Sequence, residues 1–563
     1  MPGDDSSPYR FTRRETMAII AGLMLSMFLA ALDQTIVAAA LPRIAADLQG
    51  VNHLAWVVSA YMLASTAATP IHGKLSDLYG RKVMLQAAIA VFVLASVLCG
   101  LATSMVQLMV FRGLQGAGGG GLIAVAHATI ADVVSPRERG RYQGYFASVF
   151  AAASVIGPTM GGLFASSLTW RWVFWINVPL GVAALVMSQA TLRRLTSKRI
   201  RHRIDYLGAL LIVTAVGCAL VVTTMVGNGV TWASPAIGAL AGATLVLLVL
   251  SVVQERRADA PILPPRMFRR PIFVVTNAIS VLAAINMLGI TVFTPIFLQL
   301  VYQLQVGSSG LMLIPLSGAA TIGAASAGRL VAKTGRYKLF PIVGLAVNTA
   351  GTLLLSTATR DTPLALTTVY LMLSGAGLGL VMPVMLVAAQ NVLEPRDFGA
   401  GTGSIDFFRS VGGAIGVALF GAVLMQRLTS CLALVPGHEV LGAEPGTSLV
   451  RAGAGALNSV PAALHEAVIA AVERASHDVF RVGAVIAFIT LVVALFLKEA
   501  PLRAAVDVDE RGRADEGADR LVATTRSPPL RRSVTPTADT AASSQQARPE
   551  SHPGERTLRR EGD

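Results

Sequence analysis

The chain alternates between long apolar stretches and short polar ones. A helix that crosses a bilayer needs ~20 mostly apolar residues, and a hydropathy reading gives about fourteen such stretches. They fall at residues 17–41, 54–72, 83–103, 106–131, 143–165, 172–192, 205–226, 233–253, 272–300, 311–332, 339–357, 364–389, 404–425 and 479–497. The expected fold is an all-α polytopic membrane protein. Between the last two stretches, Ala462–Val479 has apolar residues at helical spacing, which predicts an amphipathic helix on the outer surface.

The basic residues orient these spans. One set of loops holds Arg10, Arg13 and Arg14, then Lys74, Arg81 and Lys82, then Arg137, Arg139 and Arg141; the sets at 193–203, 256–270 and 333–338 continue the pattern. The alternate short loops hold little beyond Arg43, Arg171 and Arg360. Positive charge marks the cytoplasmic side, so both termini are expected in the cytoplasm, in a multi-pass protein of the cytoplasmic membrane. Long loops cross regardless of charge, which allows loop 426–478 to lie outside.

Composition agrees with a membrane protein. Of 563 residues, 53% are hydrophobic and 14% charged, too few charges to cover a soluble chain of this length. The net charge of +14 sits in loops and tail, which argues against nucleic acid as a partner. The first apolar stretch is too long for a cleaved signal peptide and holds an acid. Cys99, Cys218 and Cys431 imply no disulfide framework. No His/Cys metal spacing and no phosphate-binding G-x-x-x-x-G-K motif is present, so neither a metal nor another cofactor is expected. The run Gly116–Gly121 satisfies G-x-G-x-x-G but follows no strand, so it is not a dinucleotide site.

A repeat divides the chain. Gly73–Lys82 follows span 2, and a related Gly328–Lys338 closes span 10; both carry Gly, Leu two later, and Gly-Arg seven and eight later. Repeated halves are a transporter signature, with the substrate site at their interface. The expected organisation is a cytoplasmic segment 1–16, an N-terminal six-helix bundle 17–192, two additional spans with basic loops 193–271, a C-terminal six-helix bundle 272–497 and a disordered cytoplasmic tail 498–563.

Asp33 stands inside span 1, where a carboxylate is costly by roughly 2.5–3.5 kcal/mol and usually functional. It lies eight residues before Leu41, or ~12 Å at 1.5 Å per residue; Arg112 lies seven residues after Met105, or ~10 Å. The two therefore share a depth in the outer half. Asp33 reads as a proton site or as a structural carboxylate, and Arg112 as its modulating partner or as half of a fixed ion pair. Asp406 and Arg409, three apart at the inner end of span 13, share a face; self-pairing and a second proton site are the two readings. His127 reads as a packing residue. Phe293, Phe297, Tyr302, Met287, Met312, Met382 and Met385, with Gln34 and Gln115, are candidates for an adaptable cavity lining.

Several motifs, in order, resemble the major facilitator superfamily, and within it the fourteen-span drug:proton antiporter family of the EmrB/QacA type. Leu32–Val37 with Leu41-Pro42 resembles that family's span-1 motif, and Gly73–Lys82 the superfamily's signature loop. Arg112-Gly113-Leu114-Gln115-Gly116 resembles the span-4 motif whose Arg is linked to proton transfer. Gly157-Pro158-Thr159-Met160-Gly161-Gly162 resembles the antiporter motif, and Trp170–Pro179 the start of span 6. Ala153 stands where the antiporter motif usually has Gly, and Ala332 stands at the counterpart of Asp77.

The resemblance implies a proton-coupled exporter of hydrophobic or cationic small molecules, monomeric, working by alternating access and serving in some cases with a periplasmic adaptor protein. Gly73, Asp77, Gly80, Arg81 and Asp132 would latch the halves together, or else only anchor a tight turn. The small residues Gly157 and Gly161 would bring span 5 close to a neighbour, with Pro158 kinking the span. The alternatives are an exporter dedicated to one endogenous metabolite or siderophore, and a transporter-like ligand sensor.

Overall fold

A computed structural model describes residues 12–49, 54–194, 205–227, 234–258, 261–394, 397–436, 449, 460–461 and 464–502. Most of the expected N-terminal segment, much of loop 426–478 and the tail beyond residue 502 lie outside the described residues.

The described residues form fourteen principal helices. The first bundle holds α1 (Arg13–Asp47), α2 (Leu54–Tyr79), α3 (Arg81–Leu101), α4 (Met105–Val133), α5 (Pro136–Ser167) and α6 (Asn177–Thr191). A hairpin follows, α7 (Tyr206–Gly227) and α8 (Pro235–Arg257). The second bundle holds α9 (Pro271–Leu300), α10 (Leu313–Thr334), α11 (Leu339–Leu355), α12 (Leu364–Val392), α13 (Phe398–Leu432) and α14 (His465–Leu495).

The helices outrun the apolar cores because polar ends continue them. At α1, Glu15 N–H donates to Thr12 Oγ1 at 3.3 Å, and Thr12 N–H donates to Glu15 Oε2 at 2.8 Å, a reciprocal cap that starts the helix four residues before the apolar stretch. Beyond the far end of the apolar core of α1, the Trp170 indole N–H donates to Asp47 Oδ2 at 2.7 Å and, with Arg171 nearby, holds that carboxyl below its usual range.

Twelve helical segments are long and apolar enough to cross a bilayer by length and composition. The remaining two of the expected fourteen are α2, whose sequence is diluted by Ser, Thr, His72 and Lys74, and α11, which has 17 residues. One expectation is corrected, at 462–479. Residues 465 onward do not form a separate surface helix but the first half of α14, and Val468, Val472 and Val479 are buried with Phe297 and Phe480. Helical periodicity alone does not distinguish a helix on a lipid surface from one on a protein core. The loop after α13 is correspondingly shorter than 426–478.

Each bundle has its own apolar core, with Leu23, Met27, Phe92 and Phe146 in the first and Phe297, Phe420 and Phe480 in the second. The bundles meet chiefly through α5 against α10 and α2 against α13. Helix α7 lies along the second of these seams, where Ile212, Val216 and Leu220 pack with Leu63 and Ile71 of α2 and with Phe407 and Val411 of α13. Helix α8 touches mainly α7 and exposes Leu245, Val246, Val249 and Val252, as suits a lipid-facing helix.

Candidate functional site

Asp33 is completely buried, on α1. Burying a carboxylate is tolerable only with opposite charge and hydrogen bonds around it, and the first bundle supplies both. Arg112 Nη1 of α4 donates to Asp33 Oδ2 at 2.5 Å. Gln115 Nε2 and Asn177 Nδ2 donate to Oδ1 at 2.8 and 2.9 Å. Gln115 also accepts from Arg112 Nη1 at 2.7 Å and donates to Ser96 Oγ at 2.7 Å. The Tyr61 ring lies 4.2 Å from the Arg112 guanidinium carbon, a cation–π contact. The network thus draws on α1, α2, α3, α4 and α6.

The expected Asp33–Arg112 pair is present. Gln115 belongs to this network and does not border the central cavity described below. Gln34 is half-buried beside Tyr61 and does not border it either. Ser96, Asn177 and Tyr61 were not singled out from the sequence; a polar residue within each apolar stretch was the available sign.

The glycines of α5 act next to Asp33. A Cβ on Gly157 would strike Thr35 Oγ1 of α1, and one on Gly161 would strike the Ile36 carbonyl. These two glycines therefore press α5 onto α1 within three residues of Asp33. Thr35 Oγ1 donates to the Ala153 carbonyl at 2.9 Å, and Ala153 is buried against Ala31 and Leu32, so alanine fits here. Pro158 and Gly162 are exposed, and nothing lies within 4 Å of a Cβ built on Gly162.

At the other end of the bundle, Arg81 joins two acids. Its Nη1 lies 2.7 Å from Asp77 Oδ1, and its Nε donates to Asp132 Oδ2 at 2.6 Å. Asp77 in turn accepts the backbone N–H groups of Gly399 and Ala400, both at 2.9 Å, at the first turn of α13 in the second bundle. Gly73 lies directly on Gly399, with no room for a side chain on either. Gly80, at φ 96°, makes the left-handed turn between α2 and α3 that puts Arg81 in place. Gly140 of α5 meets Gly328 of α10 in the same backbone-to-backbone manner. The bundles are therefore closed on each other at the end that carries Asp77.

Between the bundles lies a cavity of about 370 Å³, within the range of small-molecule sites. The first bundle contributes His127, Gln143, Phe146 and Phe150. The second contributes Met287, Ser317, Thr321, Met382, Asp406 and Arg409. Gln143 Nε2 is buried without a hydrogen-bond partner, a donor available to a guest. Met287 lines the cavity as expected. Phe293 and Phe297 do not; they face the core of the second bundle, against Phe420 and Phe480.

Asp406 and Arg409 do pair, Oδ1 to Nη2 at 2.9 Å, but not as a surface pair of one helix. Asp406 is buried on the cavity wall, and His127 Nδ1 of the first bundle lies 2.9 Å from its Oδ2. His127 is thus an inter-bundle partner rather than a packing residue.

Two six-helix bundles facing each other across a central cavity, with most helices long and apolar, define a polytopic carrier. The profile of the Major Facilitator Superfamily matches residues 23–417, and the chain belongs to that family of membrane transporters. Its relatives include an uncharacterized MFS-type transporter of Mycobacterium tuberculosis, 37% identical over 86% of this chain and 70% of that one. The multidrug transporter protein MdtP of Bacillus subtilis is 34% identical over 88% of this chain and 96% of that one. Among solved structures, the human organic anion transporter MFSD10 superposes with a TM-score of 0.57 over 85% of this chain and 99% of that one, at 13% identity, a likeness of fold.

Proposed function

We propose that this transporter is a proton-coupled drug exporter of the fourteen-span drug:proton antiporter type. On this reading α2 and α11 cross the membrane with the other twelve segments, both termini are cytoplasmic, and the membrane is the cytoplasmic membrane of a bacterium. The closed end that carries Asp77 then faces the cytoplasm, and this conformation is the outward-facing one.

The observation that carries the reading is the Asp33 site. A carboxylate with no exposure is held by Arg112, Gln115 and Asn177 within a bundle that moves as alternating access requires. A proton on Asp33 removes the charge that these donors hold, and the α1–α5 contact at Thr35 and Ile36 stands one turn away to receive the change. The second bundle holds a buried network without an acid, Asn286, Asn348, Thr352 and Ser374, whereas the network of the first is built around Asp33, which supports Asp33 as the coupled site. The names of the Bacillus relatives support drugs as substrates.

One proton entering down 100 mV contributes ~2.3 kcal/mol, and one pH unit ~1.4 kcal/mol. Together they sustain a gradient of roughly a few hundred-fold for a neutral substrate. The test is accumulation of a panel of toxic dyes by cells overexpressing the protein: lower accumulation than in control cells, abolished by a protonophore, is expected. Unchanged accumulation across a panel of cationic and neutral compounds contradicts the reading.

A further inference from the structure

We propose that Asn177 reads the protonation state of Asp33: its carboxamide donates to the charged carboxylate and turns over to accept the O–H of the protonated acid. The proposal deepens the exporter reading, and it rests on that reading for Asp33 being the site that takes up the proton.

Asp33 is surrounded by donors. Arg112 Nη1 points at Oδ2, and the Gln115 and Asn177 amides point at Oδ1. That arrangement suits a carboxylate, which only accepts. A protonated carboxyl group also donates, and its O–H needs an acceptor inside the same buried pocket.

The other acceptors of the network are occupied. Gln115 Oε1 accepts from Arg112 Nη1 at 2.7 Å and lies 3.6 Å from the Cys99 thiol. Turning the Gln115 amide over would set its nitrogen against the guanidinium. The Val57 carbonyl takes Arg112 Nε. Ser96 Oγ accepts from Gln115 at 2.7 Å and from Asn177 at 3.3 Å, and its own O–H goes to the Phe92 carbonyl at 2.8 Å. The Tyr61 hydroxyl lies against Gly119, two turns along α4 from Arg112. Asn177 Oδ1 differs from all of these. Its residue is completely buried, and the oxygen has no hydrogen-bond partner.

Half a turn about the last side-chain bond of Asn177 exchanges its oxygen and nitrogen. Oδ1 then stands where Nδ2 stands now, 2.9 Å from Asp33 Oδ1 and beside Ser96. The exchange has a cost. Nδ2 leaves its two acceptors for a place where the amide atom has no partner. The protonated acid is therefore less well satisfied in this arrangement of helices than the charged one. A proton on Asp33 favours a different arrangement, as a coupling site requires. Asn177 is placed to pass this on. It opens α6 directly after the short helix Trp172–Trp175, at a break between two helical segments.

The charged or titratable side chains that interact with Asp33, among the described residues, are Arg112 of α4, Tyr61 of α2 and Cys99 of α3. Helix α6 carries no charged residue, and neither does the part of α5 beside Asp33.

The test is infrared difference spectroscopy of the purified full-length protein in lipid, between alkaline and acid buffer. The C=O band of protonated Asp33 is assigned by its loss in Asp33→Asn. In wild type it should lie at the frequency of a carboxyl group whose O–H is hydrogen-bonded. In Asn177→Leu, similar in shape but without an acceptor, it should move up to that of a free carboxyl group. In wild type an amide C=O band should shift down on protonation, respond to isotopic labelling of asparagine, and be absent from Asn177→Leu and Asn177→Ala. The labelled wild type needs no variant, so this readout does not depend on how the variants fold. An Asp33 band at one position in wild type and Asn177→Leu, or no shift of a labelled amide, overturns the proposal and leaves Asp33 as the proton site. Absence of any carboxyl band that Asp33→Asn removes overturns the proton site itself and the proposal with it.

Discussion

Asp77, near the end of α2, accepts the backbone N–H of Gly399 at 2.9 Å across the boundary between the two bundles. With the Ala400 N–H also on this carboxylate, a side chain of one bundle caps the first turn of a helix in the other. The same carboxylate is held by Arg81, which Asp132 holds in turn. A latch at this place would take the form of a charged cap, which parting of the bundles would break.

Asp77→Asn keeps the size of the side chain and removes its charge. Hydrogen bonds to a charged group contribute ~1.5–3 kcal/mol each, so the closed end should open at least tenfold more often. Spin labels at Lys82 and Lys338, on the ends of α3 and α11 that flank this closure, should show a larger population of long distances, with slower export. An unchanged distance distribution would count against the latch.

Arg112 and Asp33 should be strongly non-additive. A lone buried charge is destabilising by about 3–5 kcal/mol, so Arg112→Gln alone should lower the melting temperature of the purified protein. Adding Asp33→Asn should restore part of that loss, because no net charge then remains uncompensated. Melting temperatures that simply add would mean the pair is not energetically coupled.

Much of the fold was readable from hydropathy because each helix has to hide its own backbone in the membrane. The shared depth of Asp33 and Arg112 followed from counting along two helices that run in opposite directions. Contacts that depend on helix rotation did not follow. Phe293 and Phe297 face a core rather than a cavity because of how α9 is turned, and no local feature of their stretch states that. The His127–Asp406 contact joins residues 279 apart, on different bundles, and requires the docked arrangement of both. The first half of α14 was misplaced for a related reason: an apolar stripe does not say what covers it.

Topology has a direct check. Leu434, just past α13, is 77% exposed, and the orientation proposed places it outside. Leu434→Cys, in a background without Cys99, Cys218 and Cys431, should react with an impermeant thiol reagent on intact cells. Labelling only after lysis would invert the orientation.

Asn177 is expected to position Asp33. Asn177→Ala removes one of the two amide donors on Oδ1. Uptake into inverted vesicles should fall about tenfold, in line with the loss of ~1.5–3 kcal/mol from a charged acceptor, with membrane insertion unchanged. Wild-type uptake would make the contact incidental.

Asp33 is proposed to carry the coupled proton, and substrate-induced proton movement in proteoliposomes, wild type against Asp33→Asn, tests this. Asparagine is nearly isosteric and cannot titrate. Addition of substrate should drive a proton flux in wild type and none in Asp33→Asn, which should retain downhill substrate exchange. A substrate-dependent proton flux in Asp33→Asn equal to that of wild type would show Asp33 to be structural and contradict the account.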